Sequence, residues 1–193
     1  MINKETKIYC SFSSNPGNNG CIFFNSEFKE LNMNAIYKSF YSDDIKKSIG
    51  AVKSLDIKGF ALSMPFKIEA LDYVDEVEDS ARKIGSINTV VNKGGYLKGY
   101  NTDWVGVKKY FEIRRFDSIY IMGNGGFSKS VQYTCDVMDI GFEVITRENW
   151  NIIEELEDKI PIIIQRIIGT EDFLLEQKEY IETAAVEANA RFD

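Results

Sequence analysis

The forty-five residues from Gly59 to Asp103 constrain this chain more than any other stretch, because they alternate short apolar runs with punctuation that only a few folds accept. The run from Lys58 to Ser63 is apolar and stops before Pro65, as a buried strand must before a residue that lacks a ladder donor. Lys67 therefore lies just past a strand end. Two further strands are expected at Ser86 to Val91 and Tyr96 to Tyr100, joined by Asn92-Lys93-Gly94-Gly95, whose glycines supply the positive φ of a hairpin turn. Asn88 then falls inside one strand, and Asn101, Thr102 and Asp103 fall at the end of the other. In open α/β sheets the strand ends face the ligand crevice. Polar residues gathered there suit a small polyhydroxylated ligand, and a lysine with a carboxylate beside it can take a hydroxyl proton while hydride leaves.

Upstream, Lys7 to Phe12 reads as a strand and Asn15 to Gly20 (NPGNNG) as a loop. Ile22, Phe23, Phe28 and Leu31 follow at helical intervals, and Ala35 to Tyr41 alternates like a strand. Ser42-Asp43-Asp44 offers a helix cap, and Ile45, Ile49, Val52 and Leu55 form the apolar stripe of an amphipathic helix. This β-α-β-α-β order implies parallel strands with right-handed crossovers. A helix is expected from Trp104 to about Ile113, with Arg114-Arg115 a solvated helix end. Ser118 to Met122 is then a compact strand leading through Gly123-Asn124-Gly125-Gly126 into a helix over Val131, Cys135 and Met138. Glycines at such a turn let a pyrophosphate approach helix N-terminal amides. Gly141 to Thr146 is the next strand, Trp150 to Leu156 a helix, Pro161 to Ile168 a buried strand and Glu171 to about Ala190 a terminal helix.

Composition removes several function classes. The formal charge of −7 with no basic block argues against nucleic acid. With no histidine in 193 residues, Ser-His-Asp and His-metal arrangements are absent, which leaves lysine and carboxylate for proton transfer. Cys10, Cys21 and Cys135 lack CxxC spacing, so no metal site or disulfide framework is expected. No run reaches the length of a membrane span and no export signal is visible, so a soluble, cytoplasmic protein is expected.

Three motifs in this order, S-M-P-F-K (63–67), I-N-T-V (87–90) and G-Y-N-T-D (99–103), resemble the shikimate dehydrogenase family. The resemblance implies NADPH-dependent reduction of 3-dehydroshikimate to shikimate on a two-domain α/β fold. It implies an N-terminal substrate-binding domain over 1–103, completed by a C-terminal helix at 170–193, and a shortened Rossmann-like dinucleotide-binding domain over 104–169. By the same resemblance Lys67 and Asp103 are the catalytic pair, and Ser63, Asn88 and Gln177 contact the substrate. Gly123, Gly125, Gly126 and Arg147 bind the cofactor, NADP or alternatively NAD, since Glu148 beside Arg147 opposes a 2′-phosphate.

Departures from the family pattern are specific. Phe24-Asn25 stands at the family's His-Asn position, which puts Asn18 and Gly20 where the family's Ser-x-Ser motif grips the substrate carboxylate. Ser13 and Ser14 are nearby substitutes if the loop is re-registered. Phe66 replaces a histidine, Ser128 stands at the third glycine of the phosphate turn, and the nicotinamide-covering motifs are missing. Two readings stand: a working dehydrogenase, or a non-catalytic relative, its cofactor binding lost, that binds a small ligand or a partner. A homodimer is left open.

Overall fold

The computed structural model describes residues 2–155 and 162–164. The chain divides into two compact units, residues 1–103 and 104–193. The first unit is built on a six-stranded mixed sheet in the order β2-β1-β3-β5-β6-β4. Its strands are β1 (Lys7–Ser13), β2 (Ala35–Tyr41), β3 (Gly59–Leu62), β4 (Glu76–Val77), β5 (Thr89–Lys93) and β6 (Tyr96–Tyr100). β1 runs parallel to both β2 and β3, with α1 (Asn19–Glu30) and α2 (Ile45–Ser54) as the crossovers, as the β-α-β-α-β order implies. β5 then pairs antiparallel with β3 and with β6. The β5–β6 pairing is closed by a hairpin at Gly94 and Gly95, whose φ values of +62° and +95° an L side chain would resist.

β1 divides its two faces cleanly. Cys10 and Phe12 are buried in the core with Ile45, Ile49, Val52, Phe60 and Leu62, while Ser11 and Ser13 point to the opposite side, as the two-residue period of a strand requires. α2 contributes Ile45, Ile49 and Val52 to that core, all nearly inaccessible, and is capped by Asp44, whose side chain accepts from the Lys47 amide at 2.9 Å. α1 is different: none of its residues is buried. It lies along the outer edge of β2, where Phe24 stacks on Tyr37 with centroids 4.6 Å apart.

The edge itself is closed by side chains of α1. Asn25 donates through Nδ2 to the Tyr37 carbonyl at 2.9 Å and accepts the Tyr37 amide on Oδ1 at 2.8 Å, so one side-chain amide does the work of a neighbouring strand. Two positions away, the Ser39 amide donates to Cys21 Sγ at 3.2 Å. An edge satisfied in this way is blunted as a template for pairing with another chain.

Two expected boundaries shift. The strand expected from Ser86 starts at Thr89, and Asn88 stands just before it rather than inside it. Ser86 is turned into the interior, where Asn101 Nδ2 donates to both its carbonyl and its hydroxyl at 3.0 Å, and a residue so engaged leaves the ladder. Asn88 keeps ladder-like backbone bonds, donating to Tyr100 O and accepting from Leu62 N. The hairpin turn is also tighter than expected, since Asn92 and Lys93 belong to β5.

α5 (Asp103–Arg114) starts on the last residue of the first unit, and the second unit holds the rest of it with β7 (Ser118–Met122), α6 (Gly126–Met138), β8 (Gly141–Ile145) and β9 (Ile162–Ile164). Its three strands are parallel in the order β8-β7-β9. Phe111, Ile119, Ile121, Val131 and Cys135 form its core. Residues 150–155 form a 3₁₀ turn, where a helix is expected from sequence. The terminal helix expected from Glu171, Gln177 with it, lies outside the described residues. Among the described residues no helix is long and apolar enough to cross a membrane.

The Asn25 bridge is testable with an isosteric change. Asn25→Asp keeps the acceptor for the Tyr37 amide but sets a carboxylate against the Tyr37 carbonyl. We expect denaturant unfolding to report a loss of about 1–3 kcal/mol at neutral pH. The deficit relative to wild type should shrink on acidification, because the protonated acid regains a donor.

Candidate functional site

Lys67, Asn88 and Asp103 meet at one place. Lys67 is carried by α3 (Phe66–Glu69), the short helix that follows β3 once Pro65 has ended the strand. Its backbone is tied to the hairpin, since Ile87 N–H donates to the Lys67 carbonyl at 2.8 Å. Asp103 begins α5, immediately after β6. Its amide donates to Asn101 Oδ1 at 3.0 Å, while Asn101 is itself anchored on buried Ser86. The two strand ends therefore carry an amine and a carboxylate toward each other through interactions of their own backbones.

At the centre, Lys67 Nζ lies 2.7 Å from Asp103 Oδ2, with 17% of each side chain exposed. Asn88 Nδ2 donates to the other oxygen, Oδ1, also at 2.7 Å. Asn88 is held in turn through its side-chain Oδ1, which accepts the Thr102 amide at 2.8 Å and the Thr89 hydroxyl at 3.1 Å. Each oxygen of Asp103 thus has an assigned donor, and the carboxylate orientation is set from two sides. A charge-assisted bond of this length in a mostly dry setting is stronger and more directional than a surface ion pair. Phe66, at the family's histidine position, is 3% exposed and packs in the core, so it anchors α3 by burial.

Ser63 makes no contact in this cluster; it lines a cavity of about 290 Å³ on the α1 side of the sheet, whose lining does not include Lys67, Asn88 or Asp103. The walls are Ser11 and Ser13 of β1, Tyr37 and Ser39 of β2, and Asn15, Asn19 and Gly20 of the following loop and helix start. The β1–β2 register sets Ser11 opposite Ser39, and their hydroxyls are bonded at 3.1 Å. Ser13 Oγ donates to the Met64 carbonyl and accepts the Asn15 amide, which ties the loop to the segment leading to Lys67. Gly20 leaves room for the Tyr37 ring, which a Cβ there would meet at 3.1 Å.

The family resemblance places such a wall in the loop, at Asn18 and Gly20 or at Ser13 and Ser14. Gly20 and Ser13 do line the cavity; Asn18 and Ser14 do not. Ser11, Tyr37 and Ser39 were missed. The signal available was hydroxyls at the alternate positions 11, 13 and 39 of otherwise apolar strands, facing away from the core side.

In the second unit Gly123, at the end of β7, has φ +93°, and Gly125 is the N-cap of the thirteen-residue α6, with no side-chain cap. Ser128, at the third glycine of the motif, is 1% exposed and donates to the Gly123 carbonyl at 2.6 Å, so it braces the turn. Arg147 and Glu148 are both exposed just after β8. Gln177 lies outside the described residues. No cluster of three or more potential metal ligands occurs among the described residues.

The three thiols differ sharply. Burial pushes Cys10 and Cys135 up to about 12. The Ser39 side-chain hydrogen bond, followed by the Ser39 amide and the charge of Lys38, lowers Cys21 against the opposing effect of partial burial. Because the thiolate is the reactive form, limited treatment of the native protein with iodoacetamide should label Cys21 alone, as read by peptide mass spectrometry. Labelling of Cys10 or Cys135 first would contradict this ordering.

Residues 20–90 match the family model described as the shikimate dehydrogenase substrate binding domain. A shikimate dehydrogenase-like protein of Haemophilus influenzae is 40% identical over 134 residues, 68% of this chain and 49% of that protein. Shikimate dehydrogenase (NADP(+)) of Pyrococcus furiosus is 42% identical over 139 residues, 69% of this chain and 51% of that protein. Among solved structures, a shikimate 5-dehydrogenase-like protein superposes with a TM-score of 0.69 at 31% identity, covering 88% of this chain and 65% of its own. The chain spans about half the length of the curated relatives it matches. Sequence match, shared α/β architecture and the strand-end motifs agree, and the chain belongs to the shikimate dehydrogenase family.

Proposed function

We propose that this chain is an NADP-dependent oxidoreductase that interconverts 3-dehydroshikimate and shikimate, or a closely related hydroxylated cyclic acid. The observation that carries the reading is the Lys67–Asp103–Asn88 contact set, an amine held 2.7 Å from a carboxylate that is itself clamped. In the oxidative direction Lys67 takes the proton of the reacting hydroxyl; in the reductive direction it returns a proton to the carbonyl oxygen. Asp103 keeps Nζ in position and stabilises the ammonium, and Asn88 keeps Asp103 from turning away. Asn88, Ser63 and Gln177 are the residues assigned to the substrate.

The cofactor assignment rests on the second unit's own features. A left-handed glycine, a glycine N-cap and a helix of thirteen residues following a central parallel strand suit a pyrophosphate, and Arg147 past β8 suits a 2′-phosphate. Gly123, Gly125, Gly126 and Arg147 would hold NADP, with NAD as the alternative favoured by Glu148. When bound, the nicotinamide supplies or accepts the hydride.

Two measurements test this reading. NADP at about a hundred times its dissociation constant should stabilise the protein by about 2.7 kcal/mol, seen as a rise in melting temperature; no rise with NADP or NAD would remove the dehydrogenase reading in favour of a non-catalytic relative. Lys67→Met should lower kcat for shikimate oxidation by roughly 10²–10⁴-fold, the range for loss of a positioned acid–base group, with the protein still folded. Undiminished turnover in that variant would take Lys67 out of the mechanism.

A further inference from the structure

Lys67 and Asp103 reach their contact from strands that are not neighbours. Lys67 follows β3 and Asp103 follows β6, and β5 lies between them in the sheet. The separation of the two groups is therefore set by what spans that gap, and the span is the segment that enters β5, Ser86-Ile87-Asn88. Each of its residues holds one part of the pair. The Ile87 amide donates to the Lys67 carbonyl at 2.8 Å. Asn88 Nδ2 donates to Asp103 Oδ1. Ser86 reaches Asp103 through Asn101, whose Nδ2 donates to the Ser86 carbonyl and hydroxyl at 3.0 Å and whose Oδ1 accepts the Asp103 amide at 3.0 Å.

The orientation of the Asn101 side chain follows from its backbone partners. An amide N–H only donates, so the Asn101 oxygen must face Asp103; a carbonyl only accepts, so the nitrogen must face Ser86. Asn101, Ser86 and Ile87 are all buried, which keeps these bonds away from competing water. Ile87 is seated against β6 at Gly99, where a Cβ would stand 3.0 Å from both Ile87 Cγ2 and Ile87 Cδ1. The segment is thus packed closely on β6 and bonded toward both members of the pair, and interiors packed at that density leave little room to shift.

We propose that Asn101 is a positioning residue for the Lys67–Asp103 pair. By fastening the Asp103 backbone to Ser86 it references the carboxylate to the same three residues that hold the Lys67 carbonyl, and so sets the distance between amine and carboxylate. Asn88 orients the carboxylate; Asn101 places the backbone from which it projects. The catalytic consequence rests on the proton-transfer role given to the pair above.

Asn101→Ala and Asn101→Ser together separate this role from capping of α5. A serine there still accepts the Asp103 amide two residues ahead, but its side chain does not reach Ser86. Both variants should lower kcat for shikimate oxidation by roughly tenfold to a hundredfold, the scale of a displacement of about 1 Å, with KM changed by less than about twofold. A second readout needs no turnover: competitive acetylation with acetic anhydride, followed by peptide mass spectrometry. Lys67 should be labelled severalfold faster in both variants than in wild type, while Lys53 of α2, paired with Asp75 at 3.1 Å, keeps its wild-type rate. An unchanged kcat or an unchanged Lys67 rate in Asn101→Ala would overturn the inference. Full recovery of both in Asn101→Ser would also overturn it, by reducing Asn101 to a helix cap, and so would an equal acceleration at Lys53, which would mean a general loosening of the fold. A wild-type chain without turnover would overturn the functional reading, and the acetylation rates then decide by themselves whether Asn101 holds the pair.

Discussion

The two-faced alternation of β1 is the constraint on which the first unit depends. Because successive side chains of a strand point to opposite sides, Cys10 and Phe12 can seal the core against α2 while Ser11 and Ser13 line a polar cavity only one residue away. β1 is bracketed in parallel by β2 and β3. Its register therefore fixes where Ser39 stands on one side and where β3 releases the chain toward Lys67 on the other. A slip of one residue would exchange the two faces, placing Phe12 in the cavity and serine hydroxyls in the core.

Around that strand, polar side chains act as structural connectors as well as site residues. Asn25 completes the edge of β2, Asn101 ties Ser86 to the start of α5, and Asn88 joins the hairpin to the Asp103 carboxylate. These amides can each donate and accept at once, which suits them to sites where a backbone or carboxylate needs both ends satisfied. Asn25 stands where the family has the asparagine of its His-Asn pair. Beside its bridge to the Tyr37 backbone, Phe24 stacks on the Tyr37 ring.

In the second unit a side chain braces the glycine turn after β7. The Ser128 hydroxyl donates to the Gly123 carbonyl and braces the turn from within. Arg147 and Glu148, side by side and exposed, set two opposite charges just past β8.

What could be read from residues alone was the local grammar. The strand cut short by Pro65, the Gly94-Gly95 hairpin, the Ile45-Ile49-Val52 stripe and the glycine turn after Met122 each depend on backbone preferences or on a short repeat, both of which are written locally. The convergence of Lys67, Asn88 and Asp103 was within reach because all three sit at strand ends of one sheet. The start of β5 and the cavity wall were not. Ser86 leaves its strand because Asn101 claims it, and Ser11 meets Ser39 because β1 and β2 align in one parallel register. Pairings across fifteen and twenty-eight positions leave no periodic trace in a sequence, since they exist only once the chain has folded back on itself.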